Sequence, residues 1–286
     1  MAAASAQELE KRAGFDPGFL GIDVPMPGLT ADVPTMTLPY THYTVLFRPD
    51  RRTAAVTALD VDGARLMPLA RSDAWQFDPR LAAELQIGPA VYAHNDLDRG
   101  HLVMRASSTW GDTEKEAHVA EVDTFYFTNA APQAALFNQG RALWLGLEGY
   151  LEEHAATYDR KLVVLAGPVL DPGDPPYRGV QVPLRFWKVV AFLQDGELAA
   201  TGYLLDQSPL IEDLPREIAE AMAAGRIPPL GPFRTFQLPI SSISAMAGVR
   251  LDQLAAVDRM PVEPTVEGRP PPWRELTSLD DIQFAA

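Results

Sequence analysis

No cysteine occurs among the 286 residues. That excludes disulfides, zinc–cysteine sites and thiol catalysis, and it leaves the redox compartment open. Long apolar runs are also missing. Nothing approaches the roughly 20 consecutive apolar residues that a membrane-spanning helix needs. The opening Met1-Ala-Ala-Ala-Ser-Ala-Gln-Glu-Leu-Glu-Lys-Arg turns charged too soon to form the basic segment and apolar core of a secretory signal. The expectation is a chain with no membrane partner, cytoplasmic or exported without a recognisable N-terminal signal. Positive charge is scarce, with 24 Lys and Arg against 38 Asp and Glu, a net charge of −14. That is the wrong sign for a protein that holds nucleic acid by bulk electrostatics.

What is present is an ordinary globular composition, 47% hydrophobic and 22% charged. The acid excess is unevenly spread. From Tyr40 to Trp110 there are eight Arg (48, 51, 52, 65, 71, 80, 99, 105) and eight acids (50, 60, 62, 73, 78, 84, 96, 98). An Arg-lined cleft on an acidic body is therefore compatible with the chain's overall charge.

The densest chemistry lies in Asp98-Arg99-Gly100-His101-Leu102. His101 carries the side chain that exchanges protons near neutrality. Arg99 is a permanent cation whose fork fits phosphate oxygens. Gly100 allows a close approach to the backbone, and Asp98 can hold a neighbouring donor. Downstream come Asn129-Ala-Ala-Pro132-Gln133, then Asn138-Gln139-Gly140, then Trp144-Leu-Gly-Leu147-Glu148.

In this order the motifs resemble the DNA/RNA non-specific endonucleases, the ββα-metal nucleases with an Asp-Arg-Gly-His motif. The likeness covers roughly residues 40–255. It implies a metal-dependent endonuclease that hydrolyses DNA and RNA phosphodiesters through phosphate contacts. In that pattern His101 is the general base. Asn138 is the ligand of Mg²⁺, with Mn²⁺ as an alternative, and Arg99 and Arg71 clamp the phosphate. Glu148 holds metal-bound waters, and Asn129 and Gln133 touch substrate. The ten-residue step from Asn138 to Glu148 is longer than the family's usual gap, so Glu152 is an alternative to Glu148. A homodimer follows only by analogy. The competing reading from another class is a non-catalytic binding protein on the same scaffold, motivated by the acidic charge and by that altered spacing. Each site residue also has a bland reading: a buried structural histidine at 101, a helix-start Asn at 138, a surface Arg at 71, a turn residue at 129.

The fold class expected is α+β, a mainly antiparallel sheet with helices on its faces and a ββα catalytic unit. The chain reads as one domain with its core at about 40–255, an N-terminal arm over 1–40 and a Pro-rich tail over 256–286. Tyr43–Phe47 and Thr53–Leu59 form a hairpin, followed by a turn at Asp60-Val-Asp62-Gly63. A short helix spans Pro79–Leu85, with Asp78 as N-cap. Arg99–Met104 is a strand, Thr113–Val122 a helix and Phe125–Thr128 a strand. Leu136–Thr157 is the longest helical pattern. Phe186–Phe192 and Leu198–Leu205 flank the turn signal Gln194-Asp195-Gly196. Helices follow at Pro215–Ala224, Ser241–Gly248 and Leu251–Leu254.

Overall fold

A computed structural model describes residues 4–135, 161–209, 214–231, 233–260 and 273–283. In chain order its strands are β1 (Met36–Pro39), β2 (Tyr43–Arg48), β3 (Thr53–Asp62), β4 (Leu97–His101), β5 (Ala130–Ala134), β6 (Lys161–Pro168), β7 (Pro176–Tyr177), β8 (Val180–Gln181), β9 (Arg185–Gln194), β10 (Glu197–Asp206), β11 (Arg234–Gln237) and β12 (Arg274–Leu276). Eight of them form one antiparallel sheet in the order β1-β2-β3-β6-β9-β10-β11-β12. Among the described residues β4 pairs only with β5, and β7 only with β8.

The two expected hairpins are present because each is specified locally. Between β9 and β10, Asp195 and Gly196 both take positive φ, 53° and 83°. That is the left-handed pair a two-residue hairpin turn requires. The inner strands are buried on both faces, so β3 is buried along its whole length and reads as a near-continuous apolar run. Asp60 and Asp62, expected in a turn, lie inside that strand. The pairing with β6 runs on through Asp62↔Lys161 and carries them past the apolar run.

Two cores follow from the two sheet faces. On one, Tyr43, Leu59, Val190 and Leu205 pack with Leu102, Val103, Tyr126 and Ala131 around the β4–β5 unit. On the other, Val56, Val163, Trp187 and Leu204 pack against Phe15, Leu20 and Val24 of the arm and against Ile240, Ile243 and Leu254 near the C-terminus. Each such buried side chain contributes roughly 1.5–3 kcal/mol. The arm is thus one cover of the sheet, and its last stretch is the edge strand β1.

Other local expectations shift by identifiable causes. Asp78 does not cap a helix. It is fully buried, takes Arg80 as ion partner and accepts from the Tyr40 hydroxyl. The helix expected after it shrinks to a short 3-10 turn at Ala83–Leu85. The strand expected at Phe125–Thr128 is displaced. Phe127–Asn129 is a 3-10 turn, and the strand is β5, which begins at Ala130. The helix Glu114–Asp123 forms as expected, with Thr113 accepting from Glu116 N–H as its cap. Helices at Leu214–Ala223, Ile240–Ala247 and Asp252–Ala255 match the three expected near the C-terminus. The expected helix over Leu136–Thr157 lies outside the described residues.

Candidate active site

β4 carries the Asp98-Arg99-Gly100-His101 motif, and its antiparallel partner β5 carries Ala130-Ala-Pro-Gln-Ala, in the register Asp98↔Gln133 and His101↔Ala130. Side chains two apart on a strand share a face. Arg99 and His101 therefore point to the same side, and Asp98 and Gly100 to the other. A Cβ at Gly100 would overlap the Gln133 side chain, which lies across it. The close approach that Gly100 permits is therefore to Gln133. β4 ends at His101, sooner than the strand expected to Met104.

The chain just past His101 is held by Asn129. Its Oδ1 accepts from Val103 N–H at 2.8 Å, and its Nδ2 donates to the carbonyls of Val103 and Thr124, both at 3.0 Å. Asn129 has no exposed surface. The substrate contact expected of Asn129 is therefore replaced by a structural role, because its polar atoms all serve backbone. Gln133, also expected at substrate, is 9% exposed and lies over Gly100.

The His101 imidazole is set among aromatic rings. Its centroid lies 4.6 Å from that of Trp75, and it meets Phe125 edge-on at 5.1 Å. Nε2 is buried and has no hydrogen-bond partner among the described residues. Burial is the first cause that lowers the His101 pKa to about 3. The positive charges of Arg71 and Arg105 follow, Asp73 opposes them, and Arg99 adds a smaller push. Burial and the neighbouring arginines thus favour the neutral imidazole, the form that accepts a proton.

Arg99 is exposed, with its guanidinium 5.6 Å from the Trp75 ring centre, and has no ion pair among the described residues. Arg71 is exposed, lies 5.7 Å from the Phe125 ring and pairs with Asp73 at 2.6 Å. Such surface pairs are weak and exchangeable. Arg105 donates to the Leu69 carbonyl at 3.2 Å. The structure thus brings Arg71, Arg99 and His101 together as the sequence suggested. It adds Trp75, Phe125 and Arg105, which were not singled out. The only signal for Trp75 was its place shortly after Arg71. Arg105 lies beyond the strand, where no periodicity points to the site.

The eight arginines of residues 40–110 do not form one cleft. Arg48, Arg51, Arg65 and Arg80 are ion-paired with Asp50, Asp174, Asp62 and Asp78, and Arg52 donates to the carbonyls of Gln86 and Gly179. Asn138, Glu148 and Glu152 lie outside the described residues. Among the described residues no group of three or more His, Asp or Glu could hold a metal ion. Mg²⁺ keeps most of its waters and accepts few protein ligands. A single amide such as that of Asn138 is compatible with that habit, and the described side of the site supplies a base and cations but no ligand cluster.

Comparison with known proteins identifies the family and the fold. The family model for DNA/RNA non-specific endonucleases matches residues 23–259. An uncharacterised protein y4fB of Sinorhizobium fredii is 32% identical over 97% of this chain, which spans 44% of that protein's length. A nuclease of Nostoc sp. is 26% identical, with 62% of this chain and 61% of the relative covered. Bovine mitochondrial endonuclease G is 29% identical over 45% of this chain and 44% of its own. The crystal structure of an EndoG/EndoGI complex, described as showing the mechanism of EndoG inhibition, shares the fold. Its TM-score is 0.55 at 18% identity, covering 76% of this chain and 86% of the matched one. The motif order, the antiparallel α+β fold and the match over most of the length together place this chain in the DNA/RNA non-specific endonuclease family.

Proposed function

We propose that the protein is a metal-dependent, sugar-non-specific endonuclease that hydrolyses DNA and RNA phosphodiesters, with His101 as its general base. The observation that carries this reading is the His101 imidazole on the same strand face as Arg99, with no hydrogen-bond partner for its buried Nε2 and no ion pair for Arg99 among the described residues. A neutral base can deprotonate a water. The water oxygen then forms a bond to phosphorus in line with the 3′ oxygen, whose bond to phosphorus breaks. His101 passes the water proton on to solvent, the 3′ oxygen takes one from solvent, and the products carry a 5′-phosphate and a 3′-hydroxyl. Arg99, aided by Arg71, holds the non-bridging oxygens as negative charge builds on them. A Mg²⁺ ion on Asn138, with Glu148 or Glu152 toward its waters, would supply electrostatic stabilisation of the phosphate and the leaving oxygen.

These contacts reach phosphate rather than base edges, which suits a reaction without sequence preference. The test is nicking of supercoiled plasmid and degradation of RNA with Mg²⁺, with Mn²⁺ and with excess chelator. Cleavage that needs the metal and drops on Asn138→Ala supports the reading. Undiminished cleavage in excess chelator overturns the metal requirement. No cleavage under any of these conditions leaves the non-catalytic binding protein as the better account.

A further inference from the structure

Phe77 takes no part in the chemistry above, yet it is 39% exposed beside the site. An open aromatic ring is usually free to turn, whereas this one is held. Its centroid lies 5.0 Å from that of Phe127, and its edge crosses Gly88 so closely that a Cβ there would overlap it. The segment beneath it is also fixed. Gln76 N–H donates to the Phe125 carbonyl, and Phe127 N–H donates to the Gln76 carbonyl, both at 3.0 Å. Gln76 thus bridges in parallel to Tyr126. In extended chain this puts Trp75 and Phe77 on one face, and Phe125 and Phe127 on another that meets it. Trp75 stacks on Phe127 at 5.7 Å and also touches His101. Ring contacts therefore run from the imidazole through Trp75 and the buried Phe127 to the exposed Phe77, with Arg99 over the Trp75 end.

We infer that Phe77 is a base-stacking residue that gives the enzyme a preference for unpaired strands, an inference that rests on the nuclease reading for its substrate class. The occupant follows from the surroundings. Phe77 is two residues from Trp75, which Arg99 overlies, and both pack on Phe127, so a group on Phe77 lies within reach of the strand whose phosphate Arg99 is expected to hold. Every base has a flat π face, so stacking suits a family described as non-specific, and it needs no hydrogen-bond readout. In a duplex that face is covered by the neighbouring base pairs, whereas an unpaired strand can present it.

The experiment measures cleavage of one labelled sequence as a single strand, as a duplex and as a single strand with abasic residues flanking the cut. Phe77→Ala should raise KM on the intact single strand about tenfold and leave the duplex nearly unchanged. Phe77→Trp should restore it. Wild type should lose a similar factor on the abasic strand, and Phe77→Ala should lose no more there. Equal loss on all three substrates, or no loss on any, overturns the inference. Equal loss together with a lower mass in sedimentation would mean that the ring serves a second copy of the chain, which also overturns it. If wild type cuts nothing, the nuclease reading fails by itself. Fluorescence anisotropy of the single strand with wild type and Phe77→Ala then decides the stacking separately, an equal affinity counting against it.

Discussion

Two histidines sit on tryptophans in this molecule, and their surroundings differ where it matters. His42 stacks on Trp110 with centroids 3.5 Å apart, and Arg65 lies 4.4 Å from the same indole. His101 packs on Trp75, and Arg99 lies over that indole. In the first cluster carboxylates and carbonyls face most of the polar groups. His42 Nδ1 meets the Ser108 carbonyl at 3.1 Å, and Nε2 makes no hydrogen bond but faces the Glu116 carboxylate at 3.5 Å. Trp110 donates to the Asp60 carbonyl, and Arg65 binds both Asp62 and Asp112. In the second cluster the imidazole Nε2 and Arg99 have no carboxylate in ion-pair contact among the described residues. Burial lowers both histidine pKa values. Near His42 the Ser108 carbonyl and Glu116 pull back, whereas near His101 the arginines push further down. The same three residue types thus make a carboxylate-braced strut in one place and, among the described residues, a site flanked mainly by cations in the other.

The largest expected break in this parallel is His101→Ala, which should lower the cleavage rate by about 10² to 10⁴. His42→Ala should leave the rate close to wild type and instead lower stability by roughly 1–3 kcal/mol. Equal rate losses from the two would erase the distinction. Next come the arginines. Arg99→Ala should cost about a hundredfold in kcat/KM, while Arg65→Ala should act mainly on Tm. Arg71→Ala gauges the clamp: a loss near that of Arg99→Ala supports it, and no loss makes Arg71 a surface residue.

Acidity sharpens the comparison further. A His101 pKa near 3 means that its neutral form persists as pH falls well below 6.5, so kcat/KM should show no His101 limb between pH 7 and 5. Removing a nearby positive charge with Arg105→Ala should raise that pKa and move the limb upward. A wild-type limb at about 6.5 would contradict the electrostatic picture. The smallest effect belongs to the closed cluster. Asp60 is buried there, one carboxylate oxygen accepting from Asp16 N–H at 2.7 Å and the other unpartnered among the described residues. Burial raises its pKa to about 8, aided by the Asp16 charge and opposed by the Asp16 N–H bond and Lys161. A raised folded-state pKa gives stability that is present below about 4 and lost as pH rises through about 8. Asp60→Asn should therefore raise Tm at pH 9, by roughly 1–3 kcal/mol in stability, and change little at pH 4. An equal effect at both pH values would show that ionisation is not the cause.

The amino-acid sequence alone determined the order of the motifs, the α+β class and the hairpins, because these depend on neighbours along the chain. Asp195-Gly196 can turn only one way, and the Arg99–His101 spacing puts both on one strand face. The tertiary structure decided what required distant segments to meet. Trp75 reaches His101 only because Gln76 bridges to Tyr126, and Phe125 joins them through the same bridge. Asn129 became the clamp of the loop after His101 because β5 lies against β4 in one register. Arg51 was drawn to Asp174 and Arg52 to the carbonyls of Gln86 and Gly179, which a count along the chain cannot reveal. Charge is a property of composition, but whether a charge is answered depends on which segments fold against it, and that difference separates His101 from His42.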